Sequence, residues 1–306
     1  MNTNDQIAKL PTYIEGFDEI SKGGLPSGRT TIVTGTAGSA KTLFAAQFLV
    51  ESIKNGDSGV FVTFEEPPVD IRRNIKSFGW DITEYEKQGK WAFVDASPGV
   101  QGDQMEIGDF DFSALQARIK AAIKKTGAKR VSIDSLGAVF SQFENSHVIR
   151  RELFALTRNI KEMGVTAVMT MERMEDYGSI GRFGVEEFVA DNVIIFRNIL
   201  AAEKRRRTIE ILKYRGTNHQ KGEYPFTINS ERGMVIIPLS AIELTQKSSN
   251  IRVTSGNSEM DKMCDGGYFR DSIVLLSGAT GTGKTLMATE FLAGGVHAGE
   301  KALFFA

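Results

Sequence analysis

An α/β fold with a mostly parallel central sheet, helices flanking it and antiparallel strands at one edge is predicted by three features of the sequence. Short, nearly continuous apolar runs alternate with segments of helical apolar spacing. A glycine-rich loop joins the first of those runs to an amphipathic helix. A late stretch then changes to the alternating pattern of edge strands.

The strand candidates, in order, are Thr30–Thr34, Gly59–Phe64, Trp91–Asp95, Arg130–Ile133, Ala167–Met171 and Asn192–Phe196. Between them, Thr42–Lys54, Pro68–Phe78, Phe112–Thr126 and Ser146–Met163 carry helical spacing. After Arg205 the segments RRTIEILKYRG and EYPFTINSERGMVII read as antiparallel strands.

The chain has 306 residues, 41% hydrophobic and 25% charged, with 31 Gly and only 7 Pro. That balance describes a soluble globular protein and excludes disorder. A formal net charge of −1 supplies no general attraction to nucleic acid or to a membrane. One cysteine, Cys264, excludes an internal disulfide framework and suits a reducing compartment. With no apolar signal core at the N-terminus and no run of about 18 apolar residues, the expected location is the cytoplasm.

The chain also repeats itself. The segment GFDEISKGGLPSGRTTIVTGTAGSAKTLFAAQFL matches SEMDKMCDGGYFRDSIVLLSGATGTGKTLMATEFL, with Asp18 and Lys41 both offset by 243 residues from Asp261 and Lys284. A period this long means duplicated domains rather than a solenoid. Residues 1–247 are expected to form one domain and 248–306 the truncated beginning of a second, homologous one. That second copy should hold a strand at Ile273–Leu276, a phosphate loop, a helix and a last strand at Ala302–Phe305. Some sixty residues cannot close such a sheet, so a fragment of a longer two-domain protein is expected.

The motifs point to phosphate chemistry. The run Gly35, Thr36, Ala37, Gly38, Ser39, Ala40, Lys41, Thr42 follows a strand and opens a helix, the context a phosphate loop requires. Backbone N–H groups would wrap a β-phosphate, Lys41 would meet the β/γ oxygens, and Thr42 would ligate Mg²⁺. Alanine at position 40 departs from the usual glycine and restricts the backbone or crowds the phosphates. The second loop, ending Gly283, Lys284, Thr285, keeps the full pattern.

Glu65 and Glu66 end an apolar strand, where a carboxylate can orient or deprotonate an attacking water; a solvated acidic strand end is the alternative. Asp134 closes the strand RVSID and is a candidate Mg²⁺ ligand, against a simple cap of the following helix. Lys204–Arg207 reads as a solvated charge run rather than a nucleic-acid contact. Lys213, Arg215 and Thr217 alternate onto one strand face, a cationic row suited to a γ-phosphate, and an arginine finger if it reaches a neighbouring subunit. His147 and His297 lack ligand spacing.

The segments GFDEISKGGLPSGRTTIVTGTAGSAKTLF, GVFVTFEEP, SFGWD, RRELFALTRNIKEMGVTAVMTMER, YGSIGRFGVEEFVADNVIIFRN and RRRTIEILKYRGTNHQKGEYPFTI resemble the KaiC family of circadian-clock ATPases, within the RecA-like P-loop NTPases. The resemblance covers nearly the whole chain. It implies slow hydrolysis of ATP with Mg²⁺ at the subunit interfaces of a homohexameric ring, serving as a timing or regulatory module. Lys41, Thr42 and Leu43 would bind from one side with Ser77 beside the nucleotide, and Glu65 and Glu66 match the catalytic glutamate pair. Lys213, Tyr214, Arg215, Thr217 and His219, with Asn229 and Ser230 nearby, match the segment that reaches ATP from the adjacent subunit. A KaiB-like partner would dock on the segment between Ser97 and Asp111, which here is divergent. The family's autokinase activity belongs to the C-terminal portion and is not expected of this chain. Two other readings stand beside this one: a RecA-like DNA motor or recombinase, and a nucleotide-gated scaffold without turnover.

Overall fold

The computed structural model describes residues 7–97, 112–141, 143, 145–180, 189–201, 203–238 and 249–305. The chain divides into two compact units, Met1–Ala241 and Ile242–Ala306.

In the first unit the elements run β1 (Lys9–Leu10), α1 (Phe17–Ile20), β2 (Leu25–Pro26), β3 (Thr30–Gly35), α2 (Lys41–Lys54), β4 (Gly59–Thr63), α3 (Pro68–Lys76), α4 (Ile82–Lys87) and β5 (Trp91–Asp95). They continue with α5 (Phe112–Thr126), β6 (Arg130–Asp134), α6 (Leu136–Phe140), α7 (Ser146–Glu162) and β7 (Thr166–Glu172). The last four are β8 (Asn192–Ala201), β9 (Lys204–Tyr214), β10 (Glu223–Asn229) and β11 (Gly233–Ile236).

Nine strands form one sheet in the order β11-β10-β9-β8-β3-β7-β6-β4-β5. The six from β8 to β5 are parallel, while β9, β10 and β11 add antiparallel at one edge. This is the predicted α/β architecture. The central strands are uniformly buried because helices cover both faces, which is why their sequences read as unbroken apolar runs.

One face packs α2 through Phe44, Phe48 and Leu49 against Val33, Phe61 and Phe196. The other packs α5, α6 and α7 through Leu115, Phe140, Leu153 and Leu156 against Ile32, Val62 and Ile133. Phe44 meets Phe17 and Phe196 edge to face, with ring centroids 5.2 Å and 5.4 Å away. The elements the sequence did not reveal, such as α1, α4 and α6, are too short to carry a periodic signal.

The second unit contains β12 (Arg252–Val253), α8 (Ser258–Met263), β13 (Tyr268–Phe269) and α9 (Lys284–His297). Its opening repeats the local structure of the first unit. Asp18 accepts hydrogen bonds from the Thr12 hydroxyl (2.6 Å) and the Tyr13 N–H (2.8 Å), and Asp261 accepts from the Thr254 hydroxyl (2.6 Å) and the Ser255 N–H (2.7 Å). Gly24 and Gly267, at φ 108° and 102°, both leave no room for a Cβ, which would lie 2.1 Å from the Leu10 carbonyl oxygen and 2.0 Å from that of Val253.

The strands expected at Ile273–Leu276 and Ala302–Phe305 do not form among the described residues. Both segments are exposed, Leu275 at 88% and Leu303 at 73%. A strand is defined by its ladder, and neither segment has a hydrogen-bonded neighbour to pair with.

Phe44→Ala should cost about 3–5 kcal/mol, because it empties the aromatic contact that seats α2 on the sheet. Urea unfolding of the variant beside the parent chain measures this.

Candidate functional site

The loop between β3 and α2 is fixed at both ends by burial. Gly35 closes β3 where a Cβ would lie 2.5 Å from Ser39 Oγ and 2.6 Å from the Phe196 carbonyl oxygen, so only glycine fits. Gly38 and Ala40 both take positive φ, 71° and 75°. Ala40 is the N-cap of α2 in the left-handed region, and Gly283 takes the same role at φ 83° before α9. The left-handed conformation costs a residue with a Cβ about 1–2 kcal/mol. Alanine at this position therefore carries backbone strain.

Ala40 makes no side-chain cap, so the first-turn N–H groups of α2 point out of the helix toward the loop, an arrangement suited to phosphate oxygens. Lys41 is buried and donates to the carbonyls of Gly35 (2.9 Å) and Thr36 (3.0 Å). Lys284 repeats that geometry on Gly278 (2.8 Å) and Ala279 (2.7 Å). Burial pushes the Lys41 ammonium below the ordinary lysine range, while Glu172, Asp134 and Glu65 push it back up.

Strand register gathers the carboxylates. Thr63 of β4 pairs with Asp134 of β6, and Gly35 of β3 pairs with Glu172 of β7. The four strand ends therefore lie side by side, with Glu65 and Glu66 just beyond β4. Asp134 is buried, accepts from the hydroxyls of Thr170 and Thr42, and is raised above the usual carboxylate range by desolvation. The helix-cap alternative for Asp134 does not describe the structure, since Ser135 is the residue that caps α6, accepting from the Gly137 N–H at 3.2 Å. Glu65 accepts from Ser135 (3.1 Å) and is raised first by desolvation, then by Asp134 and Glu172. Glu66 is raised by desolvation and by Asp134, and takes a hydrogen bond from Asn74.

No group of three or more His, Cys, Asp or Glu side chains placed to hold a metal occurs among the described residues. Mg²⁺ bound with phosphates needs only one or two protein oxygens, water and phosphate completing its octahedron. Thr42 and Asp134, joined by a hydrogen bond, are oxygen-bearing side chains of the type such an ion takes.

Several site residues escaped the sequence reading. Glu172 and Thr170 belong to β7 and reach Lys41 and Asp134 only through the register. The segment after β7 is strapped to the loop: the Arg173 N–H donates to the Gly35 carbonyl (3.1 Å), and the Thr36 hydroxyl donates to Asp176 (2.7 Å). Arg207 donates to the Gly38 carbonyl at 3.2 Å, and Arg205 to that of Asn198 at 2.9 Å. Half of the basic run Lys204–Arg207 is thus used inside the protein.

The remaining candidates lie elsewhere. Tyr214 pairs with Asn192 on β8, and Asn192 in turn with Thr31, four residues before Gly35 on β3. Four residues of strand span about 13 Å, so the segment Lys213–His219 sits at the opposite end of the sheet from the phosphate loop. There Lys213 donates to the Ala190 carbonyl (2.9 Å), and Arg215 lies 3.8 Å from Asp191. The Tyr214 ring is buried in the core, edge to face with His219 at 5.4 Å. Ser77 caps the exposed end of α3, donating to the Asn74 carbonyl (2.8 Å). Asn229 ends β10 and Ser230 opens the exposed turn to β11, with Asn229 accepting from the Glu231 N–H (2.7 Å).

The fold and loop define a RecA-like P-loop protein, with the loop at the carboxyl ends of parallel strands. The family described as "ATPase: KaiC" matches residues 10–241 and 253–306, and this chain belongs to it. It is 63% identical over 302 residues to a circadian clock protein KaiC3 of Synechocystis sp. strain PCC 6803, covering 99% of this chain and 60% of that protein. Identity is 57% with the circadian clock oscillator protein KaiC of Thermostichus vulcanus, over 98% of this chain and 58% of the relative. With the same protein of Synechococcus elongatus it is 56%, again over 98% and 58%. The chain spans about three fifths of the length of these relatives. No helix among the described residues is long and apolar enough to cross a membrane.

Ala40→Gly should raise stability by about 1 kcal/mol in urea unfolding, since it relieves a left-handed alanine at the small entropic cost of a glycine. A second outcome concerns pH. Asp134, Glu65 and Glu66 are raised above their unfolded values, so the native chain keeps protons that the unfolded chain has lost. Their contribution to stability is greatest below the ordinary carboxylate range and falls as pH rises through the raised native values. Asp134→Asn should flatten that fall, read from unfolding curves at a series of pH values.

Proposed function

We propose that the chain hydrolyses ATP slowly at interfaces between copies of itself, in a homohexameric KaiC-like ring that serves as a timing ATPase. The observation that carries this is the separation of the site into two halves at opposite ends of one sheet. The loop of Lys41 has carboxylates but no arginine of the Lys213–His219 row within reach, and that row faces away from it. A second copy supplying Arg215 and Lys213 would complete the site.

In this reading Lys41 and the first-turn N–H groups of α2 hold the phosphates. Glu65 or Glu66 orients a water for in-line attack on the γ-phosphorus and takes its proton as the bond to the β–γ bridging oxygen breaks and ADP leaves, a role suited to carboxyls whose affinity for protons is raised. Mg²⁺ on Thr42, with Asp134 bound directly or through water, would neutralise charge on the β/γ oxygens. The neighbour's Lys213 and Arg215 would stabilise the charge that develops on transfer. A KaiB-like protein is proposed as the partner; its expected docking segment, 98–111, lies outside the described residues.

The strained Ala40 favours a second reading, a scaffold that binds nucleotide and assembles without turnover. Phosphate release separates the two. Glu65→Gln with Glu66→Gln should lower turnover by at least about a hundredfold while nucleotide-dependent assembly, read by light scattering with an ATP analogue, persists. Unchanged turnover in that double variant would sink the enzymatic reading. Arg215→Ala should reduce turnover about a thousandfold without weakening binding to the Lys41 loop. A monomer that hydrolyses ATP at the parent rate would overturn the shared site.

A further inference from the structure

Asp191 stands immediately before β8, is 1% exposed, and faces three cations from three separate parts of the fold. Lys161, in the last turn of α7, places Nζ 2.7 Å from Oδ2. Arg29, just before β3, lies 3.6 Å from Oδ1, and Arg215, just after β9, lies 3.8 Å from the same oxygen. The backbone joins the same knot: the Arg215 N–H donates to the Asp191 carbonyl at 3.2 Å, and Arg29 donates to the Arg215 carbonyl at 3.2 Å.

We infer that Asp191 is a positioning residue for Arg215, holding it ready for the nucleotide of a neighbouring copy. This rests on the shared-site reading above and adds the group that sets the arginine's position. Three cations gathered at one end of a sheet repel one another, and the buried carboxylate they share offsets that repulsion. Arg215 has both its N–H and its carbonyl tied down, while its side chain remains 56% exposed. The backbone of Arg215 is anchored, and its guanidinium, with Nη1 3.8 Å from Asp191, is largely open to solvent, as a group acting on a partner's phosphate must be. A flexible arginine would lose side-chain freedom at the moment of reaction; one already held loses less. Lys161 and Arg29 tie the knot to α7 and to β3, so its position follows the rigid sheet.

Asp191→Asn keeps the shape and removes the charge. Turnover should fall about ten- to a hundredfold, with the affinity of the variant's own Lys41 loop for an ATP analogue unchanged. Mixing tells positioning apart from general damage to the subunit. Asp191→Asn subunits have an intact loop and glutamates; Glu65→Gln, Glu66→Gln subunits have an intact Arg215 knot. In a randomly mixed ring about a quarter of the interfaces join the two intact halves, and turnover should recover to about that fraction of the parent. Arg215→Ala subunits, mixed in the same way, should recover equally.

Parent turnover in Asp191→Asn alone, or recovery with Arg215→Ala subunits but none with Asp191→Asn, would overturn the inference. Arg215→Ala subunits that turn over normally by themselves would instead overturn the shared-site reading beneath it. If Asp191→Asn does not fold, Arg29→Met tests the same knot. It should show reduced turnover with recovery on mixing, and parent turnover in it would overturn the inference.

Discussion

The junction between β3 and α2 is the constraint on which the rest of the site depends. Every residue of β3 is buried, and most of α2 is buried against the sheet, so the five residues between them have fixed endpoints. The aromatic contacts of Phe44 with Phe17 and Phe196 anchor the helix, and the lack of space around Gly35 anchors the strand. A loop spanning such a gap has little freedom to relax. Ala40 holds a left-handed backbone within that gap, a conformation costly for a residue with a Cβ. Lys41, the first residue of the helix, is placed by the same packing.

The parallel register does for charge what the junction does for shape. Carboxylates from strands far apart in sequence come together beside a single buried ammonium because β3, β7, β6 and β4 end at a common level. Desolvation there raises the carboxyls and lowers the lysine, so each disfavours its own charged form. Such a place is costly to leave as it stands and well suited to a ligand bringing both anionic phosphate and a divalent cation. The pairing of Thr42 with Asp134 joins the loop to this cluster.

The same sheet also imposes a limit. A strand pair is stiff, and the row beginning at Lys213 is tied to the start of β8 and the start of β3, away from the loop. No bending of the sheet brings the two together. In the proposed function the row acts on a neighbouring copy; within its own chain it is tied to Asp191, with Arg29 and Lys161 beside it.

The sequence by itself determined the fold class, the loop and the glutamate and aspartate strand ends, because these are local. Apolar runs buried on two faces, glycines at tight turns, and a lysine opening a helix are all written in consecutive residues. It also showed the internal repeat, since Asp18 and Asp261 stand at matching positions. The tertiary structure decided what depends on pairing. Glu172 and Thr170 enter the site through strand neighbours, Asp176 enters it from the loop after β7, the Tyr214 ring lies in the core, and part of a basic run bonds back to the chain. The apolar segments at Ile273–Leu276 and Ala302–Phe305 carry strand sequence but no strand. A ladder needs a neighbour, and no property of one segment alone supplies it.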